Sequence, residues 1–146
     1  MNKKYQLTFY ISELAQCSYI LKNSDIENQI ALFLLKYVSI EAFYKKLLTA
    51  EKEQSGKKLT QKEKKNLRVV SSDVQRVLKY FDIECSEELI ERIFGSNDSN
   101  YMECSIKKLR DRMVHGVNDN VIRIILERYE QINSDLDAFL SLFIGK

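Results

Sequence analysis

The chain contains no proline, no tryptophan, four glycines, three cysteines and one histidine in 146 residues. Without proline nothing locks φ or removes an amide donor inside a helix, and so few glycines leave little material for tight hairpins. A helical protein follows, and one with few sharp breaks. The cysteines, Cys17, Cys85 and Cys104, are odd in number and show no CxxC spacing, which argues against a disulfide framework and a thiolate zinc site and fits a reducing compartment. One histidine with no clustered partners also makes a metalloenzyme a poor reading, so no metal or other cofactor is expected. A long apolar run is missing as well. The richest stretch, residues 31–40, is interrupted by Lys36 and is too short to span a bilayer, so no membrane association is expected. The opening segment through Cys17 is interrupted by Glu13 and reads as an ordinary first helix rather than a cleaved leader. A cytoplasmic protein is the expectation.

What is present suits a single domain spanning residues 1–146. Hydrophobic residues make up 45% and charged residues 30%, enough apolar surface for one core and too much for a disordered chain. The formal charge of +2 names no partner by itself. Charge is unevenly placed, however. From Lys57 to Arg68 six basic residues face one acid, Glu63, and from Asp82 to Glu103 seven acids face one arginine. The basic segment reads first as a solvated helix start with a lysine-rich linker, and second as a phosphate-binding patch.

Apolar spacing predicts four to five helices in an up-and-down bundle. The first covers residues 3–22. A second, capped by Ser24 or Asp25, carries Ile26, Ile30, Phe33, Tyr37, Ile40, Tyr44 and Leu47 on one stripe through residue 48. A third opens on Thr60-x-x-Glu63, the spacing of a reciprocal capping box, and buries Leu67, Val70, Val74, Val77 and Phe81. A short helix over 86–95 ends at Gly95, and "SNDSN" is a loop. Another runs from about Tyr101 to His115, with Gly116 as a left-handed stop, before one long last helix carrying Ile122, Ile125, Tyr129, Ile132, Leu136, Phe139 and Phe143. Tyr37, Tyr44 and Tyr129 fall on the apolar stripes and are expected in the core.

The lone histidine lies in "KLRDRMVHG", residues 108–116. At about 100° per residue, Ile106, Leu109, Met113 and Val117 share one face and Asp111 and His115 the other, with Lys107 and Lys108 flanking and Cys104 on the outer side. His115 therefore points away from the core. Asp111 and His115 at i and i+4 are close enough for the carboxylate to orient the ring. Two readings remain open on spacing: a cation at a helix C-terminus with a surface ion pair, or a site for phosphodiester chemistry built from a fixed cation, a proton-transfer group and lysines.

At these residues the chain resembles the HEPN family. "RDRMVH", residues 110–115, is similar to its R-x4-H signature, set near the end of the penultimate helix of an all-helical bundle. The resemblance implies an HEPN-like fold and a metal-independent endoribonuclease whose composite site forms where two protomers meet. It implies His115 as acid-base residue, Arg110 on the scissile phosphate and Asp111 positioning one or both, with Lys107, Lys108 and Arg112 on the RNA backbone. Products would carry a 2′,3′-cyclic phosphate. The implied setting is a toxin or anti-phage defence effector with an antitoxin or defence-system partner. Many toxin members carry a tyrosine two positions after the histidine, which a nucleotidyltransferase antitoxin modifies; here that position is Val117. The family also holds domains that only bind or dimerise, so a non-catalytic helical interaction module or regulatory subunit stands as the alternative.

Overall fold

The computed structural model describes residues 2–25, 27–96, 100 and 102–144, and among these it is all-helical. Eight α-helices follow in order: α1 Lys3–Lys22, α2 Gln29–Lys52, α3 Gln61–Lys65, α4 Ser71–Tyr80, α5 Glu87–Phe94, α6 Ile106–His115, α7 Asp119–Glu127 and α8 Tyr129–Leu140. The count exceeds the four or five predicted: the apolar spacing marks six helical segments, and two of the long ones are interrupted. Among the described residues no helix is long and apolar enough to cross a membrane.

The helix starts are written in capping side chains. Asn2, Asn28, Thr60, Ser86, Ser105 and Asn118 each accept an amide of the first turn behind them. Thr60 and Glu63 form the reciprocal box predicted from their spacing, with Thr60 N–H donating to Glu63 at 3.0 Å and Glu63 N–H to Thr60 at 3.1 Å. The second helix is capped by Asn28 rather than by Ser24 or Asp25; the Ser24 hydroxyl instead donates to the Leu21 carbonyl. Ile26 lies outside the described residues.

The predicted third helix breaks in two. Gln61–Lys65 carries no apolar side chain to bury, so nothing extends it, and Asn66–Val70 is not helical. Val70 itself is extended, where neighbouring side chains alternate sides. Val69 therefore turns inward and Val70 outward, reversing the expectation for Val70, while Val74, Val77 and Phe81 are buried as the stripe predicts and Leu67 is half-buried. The chain leaves α4 through Asp82 at φ 61°, a left-handed residue where helix ends ordinarily use glycine.

The last helix is likewise interrupted, at Arg128. Backbone bonds still cross the break, from Arg128 N–H to the Ile124 carbonyl and from Ile132 N–H to the Arg128 carbonyl. The buried Arg128 guanidinium donates to the Cys104 carbonyl at 2.9 Å and to Gln131, and Gln131 continues to Asp135, which Arg92 of α5 also binds at 3.1 Å. This chain of polar contacts fixes the segment that leads into α6.

α2 is the central stave, packed by α1, α4, α7 and α8, while α5 bridges α4, α6 and α8. One continuous core results. At its middle the Phe94 ring meets Tyr44 at 5.9 Å and Phe139 at 5.5 Å between centroids, with Tyr37 at 6.4 Å. Tyr37 and Tyr44 are fully buried and Tyr129 partly so, in keeping with the stripes.

Candidate functional site

α6 begins later than the sequence suggests. Ser105 caps it by accepting the Lys108 amide at 3.2 Å, while its hydroxyl donates to the Gly95 carbonyl at 2.7 Å and so ties α6 to the end of α5. Tyr101, the expected start, lies outside the described residues, as do residues 97–99 of the expected loop. Because Cys104 precedes the helix, the wheel does not apply to it: it is buried, not outward. Its thiol is pushed up mainly by burial, against a smaller opposing pull from Arg128 and Arg112.

From Ile106 onward the wheel holds. Ile106, Leu109 and Met113 are buried and His115 is exposed. Val117 lies past the helix end and is exposed, contrary to its place on the wheel. Gly116 ends the helix at φ 179°, extended backbone open to any residue, so it is no left-handed stop. Gly95 ends α5 at φ −63°, also outside the left-handed region.

Five of the six sequence-predicted site residues, Lys107, Lys108, Arg110, Asp111 and His115, line one open cleft of about 560 Å³. The sixth, Arg112, is not on its wall; it is close enough to Cys104 to act on that thiol. The opposite wall is the segment from Leu67 to Ser71 and the floor includes Phe94 and Gly95, while α2 contributes Glu41 and Lys45. The cleft thus gathers Lys45, Arg68, Lys107, Lys108, Arg110 and His115 against two acids. The N-terminal end of α4 also borders it, with Val70 in the cap position and no side chain capping the first amides.

Arg110 is held firmly. Its Nη2 donates to Glu41 Oε2 at 2.8 Å and lies 3.2 Å from Asp111 Oδ1, and its guanidinium carbon sits 5.2 Å from the centroid of the Tyr37 ring. The Tyr37 hydroxyl donates to the same Glu41 oxygen at 3.1 Å. Burial first, and the Glu41 charge second, push the Tyr37 phenol well above its usual range, so it stays a donor. Among the described residues Nη1 makes no hydrogen bond, and Nε is buried without a partner.

Asp111 does not orient His115. Its oxygens stand against Lys107 at 3.6 Å and Arg110 at 3.2 Å, and His115 makes no hydrogen bond or ion pair among the described residues. The carboxylate that positions the arginine is Glu41, 69 residues away in sequence. Its signal in the sequence was slight: an acid one helical turn after Tyr37 on an otherwise apolar stripe.

A larger groove of about 780 Å³ lies elsewhere, between α1, α2 and α8. It contains none of the predicted residues, and Lys36 within it is bound to Asp137 and, at 2.7 Å, to Asn133. The cleft at α6 carries the richer chemistry. Comparison with protein-family models, curated proteins and solved structures finds no match for this chain.

Proposed function

We propose that the chain is a HEPN-type endoribonuclease that acts in the cytoplasm and cuts RNA without a metal ion. The observation that supports this reading most is the cleft itself. It joins the lone exposed histidine to an arginine fixed on two carboxylates and an aromatic face, with Lys45, Arg68, Lys107 and Lys108 around them.

The chemistry proposed is transesterification. One imidazole takes the 2′-hydroxyl proton, the 2′-oxygen attacks phosphorus, the bond to the 5′-oxygen breaks, and a protonated imidazole returns a proton to that leaving oxygen. A 2′,3′-cyclic phosphate and a 5′-hydroxyl result, with electrons and protons balanced. Arg110 faces the charge that grows on the equatorial oxygens, where a pre-oriented cation is most effective. Glu41, Asp111 and Tyr37 act on Arg110 and not on substrate. Each protomer supplies one histidine, so base and acid together come from two copies in a homodimer. Such an enzyme suits a toxin or anti-phage defence effector restrained by an antitoxin or another defence-system protein.

The test compares wild type with His115→Ala on a labelled RNA mixture in EDTA, after thermal melts show both folded. Loss of cleavage in the variant, with cyclic-phosphate ends from wild type, is the expected result. One pair of observations favours a second reading: Arg110 is engaged by Glu41, and Asp111 does not reach His115. Both suit a non-catalytic dimerisation module or regulatory subunit, and a folded wild type that leaves every RNA intact decides for it.

A further inference from the structure

The basic segment from Lys57 to Arg68 is a concentrated charged feature of which the cleft uses only Arg68. Its cations form a contiguous unpaired run, unlike several cations elsewhere in the molecule. Lys36, Lys46, Arg76, Arg92 and Arg123 each meet a carboxylate on their own or a neighbouring helix. Among the described residues none of Lys57, Lys58, Lys62, Lys64, Lys65 and Arg68 is in an ion pair. Apart from the pull between Lys57 and Glu63, their charge is not balanced by a nearby carboxylate among the described residues.

The segment is nonetheless well fixed. Glu53 reaches across the turn at Gly56 to accept the Leu59 amide at 2.6 Å, and the Thr60–Glu63 box then locks the start of α3. Polar devices hold this backbone in place although only Leu59, Lys64 and Leu67 are even partly buried between residues 57 and 68. The segment then runs directly into the cleft wall at Leu67, delivering Arg68 to the space that holds Lys107, Lys108 and Arg110.

We propose that Lys57–Arg68 is a tracking arm for single-stranded RNA, carrying the phosphates of the strand that leaves the cleft. This rests on the nuclease reading for its choice of RNA. A row of unpaired cations on a fixed backbone, continuous with the cleft, can follow a nucleic-acid strand and releases counterions as it does so. An anionic membrane is the weaker fit, because the segment has no aromatic residue and no exposed aliphatic side chain to enter a lipid surface.

The test uses the full chain carrying His115→Ala, so that substrate survives, and a fluorescent oligouridylate of about 20 nucleotides, long enough to extend beyond one site. Lys58→Ala/Lys62→Ala/Lys65→Ala is compared with Lys4→Ala/Lys22→Ala/Lys79→Ala, an equal loss of charge at exposed positions elsewhere. The arm variant is expected to bind about tenfold or more weakly, and its slope of log affinity on log salt is expected to fall by about two, since three single-strand phosphate contacts are lost. The control variant stays within about twofold. Equal binding by the two variants overturns the arm, as does a wild type that binds no RNA, or an arm variant impaired only on phosphatidylserine vesicles. The nuclease reading fails separately, when a wild type that binds the oligonucleotide never cuts it.

Discussion

Arg110 Nη2 stands 2.8 Å from Glu41 Oε2, which couples the motif helix to the central stave of the bundle. Both side chains are mostly shielded, at 21% and 15% exposure, so the pair is neither a surface contact nor fully desolvated. Removing one partner leaves the other charge half-buried, and Tyr37 loses the acceptor for its hydroxyl. Glu41→Ala is expected to lower stability by about 2 kcal/mol. Arg110→Ala costs less than that when Glu41 is already gone. A urea-denaturation cycle on the two single variants and the double reads the coupling, expected at about 1 kcal/mol or more. Additive losses would break the link between the two helices argued above.

Glycine substitutions separate a steric requirement from an apparent one. A Cβ at Gly95 would lie 2.5 Å from the Glu91 carbonyl oxygen, whereas a Cβ at Gly116 meets nothing within 4 Å. Gly95→Ala is therefore expected to destabilise by about 1–3 kcal/mol, because the backbone at the cleft floor must shift. Gly116→Ala should change stability by less than about 0.5 kcal/mol. Melting curves of the two variants side by side check this, and a larger loss at Gly116 would contradict its extended conformation.

Arg128 carries its charge at 9% exposure, with its guanidinium on the Cys104 carbonyl and Gln131. Arg128→Ala strips a buried carbonyl of its donor and leaves space at the kink. The expected cost is about 3 kcal/mol. Urea midpoints measure it, and a variant with wild-type stability would show the network to be ornamental.

The three thiols should react in a fixed order. Cys17 is exposed, Cys85 is intermediate and Cys104 is buried. Burial pushes the thiols of Cys85 and Cys104 up, which lowers their thiolate fraction at any given pH. A disulfide exchange reagent in mildly alkaline buffer is expected to label Cys17 first and Cys85 more slowly, leaving Cys104 untouched until denaturant is added. Early labelling of Cys104, read by peptide mapping, would place it outside the core.

Local chemistry was the legible part of this sequence, and tertiary contact the illegible part. The Thr60–Glu63 box, the bounds of the first helix and the outward aim of His115 follow from side chains within one or two turns of each other. The interruption at Arg128 does not, because it accompanies a hydrogen bond to Cys104, 24 positions away. Val70 was misplaced for a related reason: periodicity cannot announce that five residues have left the helix, and one extended step exchanges inside for outside. In the site, the shared helix made Arg110, Asp111 and His115 visible together. Glu41, Lys45 and Arg68 arrive from other elements, so only the fold brings them to the cleft.

α1 spans 20 residues yet buries only Leu14 completely, and it packs chiefly on α2. Its polar attachments are light: Glu13 to Lys46 of α2 at 2.8 Å and, beyond that face, the Lys3 ammonium 4.7 Å from the Tyr80 ring centroid. Tyr5, Phe9, Tyr19 and Ile20 lie exposed along it. Such a helix opens at lower free energy than the core behind it, so its amide protons exchange with solvent while those of α2 are still protected. The first twenty-odd residues are expected to open as an outer layer, with the machinery around Arg110, assembled from α2, α5 and α6, keeping its protection longer.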